Sequence, residues 1–398
     1  MRTLLTGSLM AVSSDVSSAS VETVVKSGDS KGLPSDPAGL AAEPGSSLRS
    51  NYLFASNVRF LAMISIVWVH TEFLWGTAAG WALHVQPVLL QLMKFGTIGF
   101  FLISGFLSGD GLTRSRPWRY FSRRLDAVFV PWMCWGLLWF AIAFSYHLME
   151  ENHPETLRSS LRVVVGQYFR FIFTQSIYWF VPNFFVCLAI VLGLYRRVPD
   201  YVQGAVYLAM SLLYGVNVYL EIIPTRHTSA ILGFVFYLWL GCFAYRHREA
   251  WSRWLDRTSW LRLIACAVVA GGLALVETHI LRRMHPHSQD SMNTLRIANQ
   301  IFSVLAVLLI AKCKRPLYPS AFHVRAETFG IFLIHPILIE IFLLGTAHIS
   351  PSTKLGIAKN GSLTMLLTVL AFVTVYVSSV FLTKQIRQIS FLRWMVGG

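Results

Sequence analysis

The sequence predicts an all-α protein: a polytopic membrane helical bundle of about ten transmembrane helices, preceded by a disordered tail. Three observations predict it. Only 13% of the 398 residues are charged, about half the ~25% of a soluble domain. Hydrophobic residues make up 55%, and mean hydropathy is +0.54. The apolar residues gather in runs near the ~20 residues that a helix needs to cross a ~30 Å hydrocarbon core.

Residues 1–50 are rich in Ser, Gly, Ala and Pro, as in Glu43-Pro44-Gly45-Ser46-Ser47. Such composition cannot bury a core, so this stretch reads as a disordered cytoplasmic tail before a transmembrane domain over 51–398. Met1 to Val12 is only weakly signal-like, because Gly7 and Ser8 break its apolar stretch. The apolar runs fall at about 54–75, 88–108, 126–147, 178–195, 201–219, 228–245, 260–280, 296–312, 328–346 and 363–383. Ten crossings put both termini on one side. The segment 157–175, with Arg158, Arg162 and Arg170, is amphipathic and reads as an interfacial helix outside the core.

Loop charge sets the orientation. Arg114, Arg116, Arg119, Arg123 and Arg124 follow the second run; Arg246, Arg248, Arg253 and Arg257 follow the sixth. Together with the loops after the fourth and eighth runs and the C-terminus, this side carries more than twice the Lys and Arg of the other. The positive-inside rule then places both termini in the cytoplasm of a multi-pass inner-membrane protein. It also accounts for most of the net charge of +15, so nucleic acid is not expected as a partner. Cys134, Cys187, Cys242, Cys266 and Cys313 lie in or at the end of apolar runs without a C-x-x-C. They read as packing residues, and no metal site is expected.

Arg59 and His70 are eleven residues apart in the first run. At 100° per residue they sit only ~20° out of phase, on one helix face and ~16 Å apart along the axis. Ionisable groups in a membrane helix are costly and tend to be functional. His70 suits a general base or an acyl-accepting nucleophile, because imidazole titrates near neutrality; a place in the headgroup zone is the plainer alternative. Arg59 lies near the inner end and has snorkelling as its structural reading.

The second run ends in Gly96-Thr-Ile-Gly99-Phe-Phe-Leu-Ile-Ser104-Gly105-Phe106. Its small residues serve close helix packing, or they open backbone near Ser104 and Gly105 to a ligand. Arg116, Arg119, Arg123 and Arg124 carry the topology signal, and their guanidinium groups also suit phosphate oxygens. Glu340 lies mid-run, five residues past His335. It is a functional candidate or a protonated acid bonded to a neighbouring helix. Tyr178 and Trp179 are belt aromatics or platforms for a sugar face. Glu72 lies ~200° around the helix from His70 and is expected in the outer headgroup region.

These residues resemble the acyltransferase 3 family of integral-membrane acyltransferases. The matching stretches are Arg59-x10-His70, Gly99-Phe-Phe-Leu-Ile-Ser-Gly-Phe106, Arg123-Arg124-Leu leading to Val130-Pro131-Trp-Met-Cys-Trp135, Tyr178-Trp179-Phe180, and Phe329-Gly330-Ile-Phe-Leu-Ile-His335-Pro336. They occur in order from residue 54 to about 385. The resemblance implies ten transmembrane helices and an acyl group, most often acetyl, taken from cytoplasmic acyl-CoA as co-substrate, with no bound cofactor. It implies transfer to a hydroxyl of a glycan or lipid-linked saccharide. His70 matches the family's essential histidine and Arg59 its partner. Arg116 and Arg119 match the R-x-x-R thought to hold CoA phosphates. His335 matches the later signature, with Phe332 where Tyr is usual. Ala127 stands where a further basic residue is common in the family. The expected partners are acyl-CoA, the saccharide acceptor and the lipid bilayer. The competing readings are a transporter or flippase without acyl chemistry, and a non-catalytic scaffold. No internal repeat of the kind transporters show is evident between runs one to five and six to ten.

Overall fold

The computed structural model describes residues 53–397, except 76–78, 115, 151–164, 168, 172, 174–175, 196, 228 and 287–290. The tail expected over 1–50 and most of the interfacial helix expected over 157–175 lie outside the described residues. All regular structure among the described residues is helical. In chain order the helices are α1 (Leu53–Thr71), α2 (Ala82–Met93), α3 (Gly96–Arg114), α4 (Pro117–Glu150), α5 (Phe180–Leu194), α6 (Asp200–Leu220), α7 (Ile231–Arg246), α8 (Arg248–Arg257), α9 (Trp260–Met284), α10 (Ile297–Lys312), α11 (Val324–Ala347), α12 (Pro351–Lys359) and α13 (Gly361–Gln388). Short 3₁₀ turns cover Glu72–Trp75, Ile177–Trp179 and Arg393–Val396.

Every apolar run coincides with a helix, and among the described residues seven segments are by length and composition apolar enough to span a membrane, against the ten expected. The α7 and α10 helices have 16 residues each, about 24 Å at 1.5 Å per residue. The α6 helix has 21 residues but carries Asp200, Gln203, Ser211 and Asn217. The run expected over 88–108 is broken into α2 and α3 at Lys94-Phe95. Close packing marks the break: a Cβ on Gly96 would lie 2.9 Å from the Ala62 carbonyl oxygen of α1.

The outer faces show why this bundle needs lipid. The α9 helix exposes Leu261, Val268, Val269 and Val276, and α13 exposes Leu366, Val377 and Phe381. The inner face of α13 is lined instead by Thr364, Thr368, Ala371, Ser379 and Thr383. Lipid tails are as apolar as Leu, so small residues that permit close approach replace the hydrophobic effect as the packing device. Gly330 of α11 meets Thr383 in this way, with a Cβ placed 2.4 Å from its methyl carbon.

A buried polar hub ties α2, α6, α9 and α10. Arg296 is fully buried and donates to the Ala274 carbonyl at 2.6 Å, to Gln91 at 2.7 Å, to the Asn293 carbonyl at 3.1 Å and to the Thr278 hydroxyl. Glu277 accepts from the backbone N–H groups of Ile297 at 2.9 Å and Ala298 at 3.1 Å, and from the Tyr219 hydroxyl. These N–H groups open α10, where the unpaired amides and the helix dipole favour an anion. Arg296→Met would strand at least two side-chain acceptors at about 1–3 kcal/mol each. We predict a clear fall in the thermal midpoint of the purified protein in detergent. An unchanged midpoint would show that the hub adds no stability.

Candidate functional site

The α1 helix carries Arg59, Met63, Ile66 and His70 at spacings of four, three and four, the repeat of one helix face. Arg59, Met63 and Ile66 line a cavity of about 560 Å³. The facing stripe comes from α11: Arg325, Thr328, Phe329 and Phe332 line the same cavity, and His335 lies one turn further on. Each helix therefore carries an arginine at the cavity end and a histidine about ten residues along. The two arginines share the cavity, and the two imidazole rings meet with centroids 5.7 Å apart, tilted by 42°. Parallel helices with matched rise produce this pairing at both ends.

Three guanidinium groups converge on the cavity, from Arg59, Arg124 and Arg325, with Asp126 the one acid in its lining. None of the three arginines makes an ion pair among the described residues, and the Arg124 Nε is buried without a hydrogen-bond partner. A cluster of this sign suits a polyanion that brings its own acceptors. Ser104 of α3 also lines the cavity, whose walls are otherwise mostly apolar, with Phe100, Phe180, Phe184 and Phe332 among them. The lining reaches Ile66 and Phe332 and stops one turn short of His70. The Phe180 and Phe332 rings, 5.9 Å apart, stand at that level.

The His70 Nδ1 donates to the Ile66 carbonyl at 2.7 Å, and the His335 Nδ1 to the Ile331 carbonyl at 2.9 Å. A carbonyl only accepts, so each Nδ1 carries the hydrogen. Each neutral ring then presents Nε2 as a lone pair on the edge away from its own helix. That tautomer is the one a general base needs. His70 is half-buried and its Nε2 makes no hydrogen bond among the described residues. His335 is fully buried and its Nε2 has no partner.

The remaining expected site residues fall elsewhere. Arg116, Arg119 and Arg123 are exposed and outside the cavity lining. Gly105 faces the backbone of α7: a Cβ there would lie 2.0 Å from the Leu238 carbonyl oxygen, and Cys242 donates its S–H to the Gly105 carbonyl at 3.1 Å. Tyr178 is fully buried and donates to the Leu333 carbonyl of α11. Trp179 stacks on His227 with centroids 4.5 Å apart. Glu340 is half-buried beside the Trp139 indole. Glu72, expected among headgroups, is fully buried at the end of α1, and both its carboxyl oxygens lack a partner. The 3₁₀ turn over Glu72–Trp75 packs against α12 and α13, which cover this end of α1. Lys94 lies within electrostatic reach of both Glu72 and His70.

Arg325 was not among the residues the sequence singled out. The signal for it is present: Arg325-x9-His335 repeats Arg59-x10-His70 with the same polarity. Arg296 and Glu277 were missed for another reason: each stands near the edge of an apolar run, where a charge reads as loop, and only the packing of α9 against α10 brings them together.

Comparison with known proteins agrees with these motifs. Two Staphylococcus aureus proteins, from strains MRSA252 and MSSA476, are each named as a probable poly-beta-1,6-N-acetyl-D-glucosamine export protein. They are 20% identical to this chain over 285 and 287 residues, covering 70% of the chain and 79% of each relative. No solved structure matches the chain at a comparable level. The acyltransferase 3 signature, described as an acyltransferase domain, matches residues 53–384. The chain, a multi-pass helical membrane protein whose paired Arg–His stripes fall within that match, belongs to the acyltransferase 3 family.

Proposed function

We propose that the protein is a membrane-bound O-acyltransferase, moving an acyl group, most simply acetyl, from cytoplasmic acyl-CoA to a hydroxyl of a cell-envelope glycan. The observation that carries this reading is the cavity that begins at three unpaired guanidinium groups and follows α1 towards a histidine with a free Nε2. The charge bias of the loops puts the arginine end at the cytoplasmic face. The phosphates of CoA sit at Arg59, Arg124 and Arg325. The pantetheine arm, narrow and apolar enough for the phenylalanine-lined passage, carries the thioester past Phe332 to His70.

In the transfer, the acceptor oxygen forms a bond to the acyl carbon and the carbon–sulfur bond breaks. The hydroxyl proton passes to His70 Nε2 and from there to the departing thiolate. The half-membrane distance between Arg59 and His70 lets the nucleotide stay in water while the reacting carbon sits within the bundle. The bilayer and a glycan or lipid-linked saccharide complete the expected setting.

The test measures transfer of labelled acetyl from acetyl-CoA by the purified protein in lipid nanodiscs. Arg124→Ala removes a charge-assisted contact of about 1.5–3 kcal/mol, which corresponds to a rise in KM for acetyl-CoA of roughly 10- to 100-fold at 1.4 kcal/mol per tenfold. That penalty should vanish with S-acetyl-pantetheine, which lacks the phosphates. Equal penalties with both donors would remove Arg124 from phosphate binding. A second reading, glycan export without acyl chemistry, is favoured by the name of the S. aureus relatives. It predicts movement of an unmodified oligosaccharide into proteoliposomes that contain no acyl-CoA.

A further inference from the structure

The acyl transfer proposed above uses one imidazole and leaves the other unexplained. His335 is fully buried, its Nδ1 hydrogen is committed to Ile331 at 2.9 Å, and its Nε2 has no partner. The rings beside it are those of His70 and Phe332, and Phe332, 6.2 Å away, supplies no donor. A buried acceptor left unpaired costs about 1–3 kcal/mol. Such a group persists where a ligand or an ordered water completes it.

The position of this orphan acceptor narrows the choice. Its ring lies 5.7 Å from the His70 ring, and both rings are anchored through Nδ1, which leaves two neighbouring Nε2 lone pairs without a partner among the described residues. Each accepts from an N–H or O–H about 2.7–3.2 Å away. A simple alcohol brings one such hydrogen, which the reaction assigns to His70. The second lone pair then needs a second donor on the same molecule, next to the reacting hydroxyl.

We infer that His335 is an acceptor-binding residue whose Nε2 takes a hydrogen bond from an O–H or N–H adjacent to the hydroxyl being acylated, so that the enzyme selects acceptors bearing a vicinal diol or hydroxyl–amide pair. Neighbouring hydroxyl and acylamino groups on a sugar ring have this arrangement; an isolated alcohol does not. The inference rests on the acyl transfer proposed above. It adds the donor pattern that the acceptor must carry.

The rejection of a molecule lacking the second donor is expected to be strong. A site built around a hydrogen bond excludes the analogue without it by far more than a missing methylene would.

The experiment compares trans-1,2-cyclohexanediol with cyclohexanol as acceptors of labelled acetyl from acetyl-CoA, using the purified full chain in nanodiscs. The wild-type protein should favour the diol by about tenfold or more in kcat/KM. Two variants separate the ring nitrogens. His335→Asn keeps an amide hydrogen for the Ile331 carbonyl but has no atom at the Nε2 position. It should lose the preference, down to the statistical value for two hydroxyls. His335→Gln places an amide oxygen near the Nε2 position and should recover part of the preference. A structural role alone would lower both acceptors together and leave their ratio intact.

A wild-type protein without the preference, or a His335→Asn protein that keeps it, overturns the inference. So does transfer to native membrane glycan with neither small alcohol accepted. If acetyl-CoA is turned over with none of the three acceptors, the acyl-transfer reading itself has failed and this inference falls with it.

Discussion

A folded His70→Asn protein is expected to lose acyl transfer by about 10²–10⁴-fold, the range that general acid–base catalysis contributes. Asn is the informative replacement, because its amide can still donate to the Ile66 carbonyl that now holds the His70 Nδ1 at 2.7 Å. Only the Nε2 lone pair is removed. The measurement is labelled acetyl transfer from acetyl-CoA, with folding checked by the thermal midpoint in detergent. Activity within threefold of wild type would remove His70 from the chemistry. The same assay separates the two roles an imidazole can take here. An acyl carrier releases one equivalent of CoA before any acceptor is added. A general base releases none until the acceptor arrives.

The second large effect concerns folding. Gly105→Val and Gly241→Val should each prevent accumulation of folded protein, and the corresponding Ala variants should lower the thermal midpoint. At the crossing of α3 and α7 the two backbones are in contact: a Cβ on Gly105 would lie 2.0 Å from the Leu238 carbonyl oxygen, and one on Gly241 2.0 Å from that of Leu102. No real Cβ survives at that distance, and a backbone carbonyl cannot rotate aside as a side chain can. Overpacking typically costs about 1–3 kcal/mol, and more where backbone must shift. The two sites share one contact, so the double Ala variant should fall short of the sum of the singles. Wild-type yield and midpoint in both Val variants would mean that the helices are not in contact there. This outcome also bears on the site. Gly105 then acts through the position it gives α3, whose neighbouring Ser104 lines the cavity.

The shared face of Arg59 and His70 was legible because helix periodicity alone puts residues eleven apart nearly in phase. The apolar runs were legible for a related reason: a bilayer demands length and apolarity from each crossing, and both are written locally in the chain. The partner stripe was harder. Arg325 lies at the start of α11, where a basic residue reads as a topology signal, and only the meeting of α1 with α11 turns it into a cavity wall. The same holds for the arginine loop. Sequence offered Arg116, Arg119, Arg123 and Arg124 as equals. The direction in which α4 leaves the loop turns Arg124 to the cavity and leaves the other three exposed.

Tyr178 and Trp179 illustrate the limit from the other side. Their position at the start of a run suggested a sugar platform. Burial, a hydrogen bond to Leu333 and a stack on His227 give them partners within the protein. An aromatic at a run end has the same sequence signature in both roles, because the two differ only in what stands opposite. Glu72 shows the same limit: α12 and α13 pack against the turn that holds it, and the periodicity of α1 does not contain those contacts.

By itself, the sequence determined the class of protein, the helical runs, the family and the helix face that Arg59 and His70 share on α1. Each depends on composition, on the pitch of one helix or on a contiguous motif. The tertiary structure decided which arginine of the loop joins Arg59, that Arg325 completes the cluster, and that His335 stands against His70. Those facts depend on how helices far apart in the chain pack side by side, and the geometry of a single helix carries no information about its neighbours.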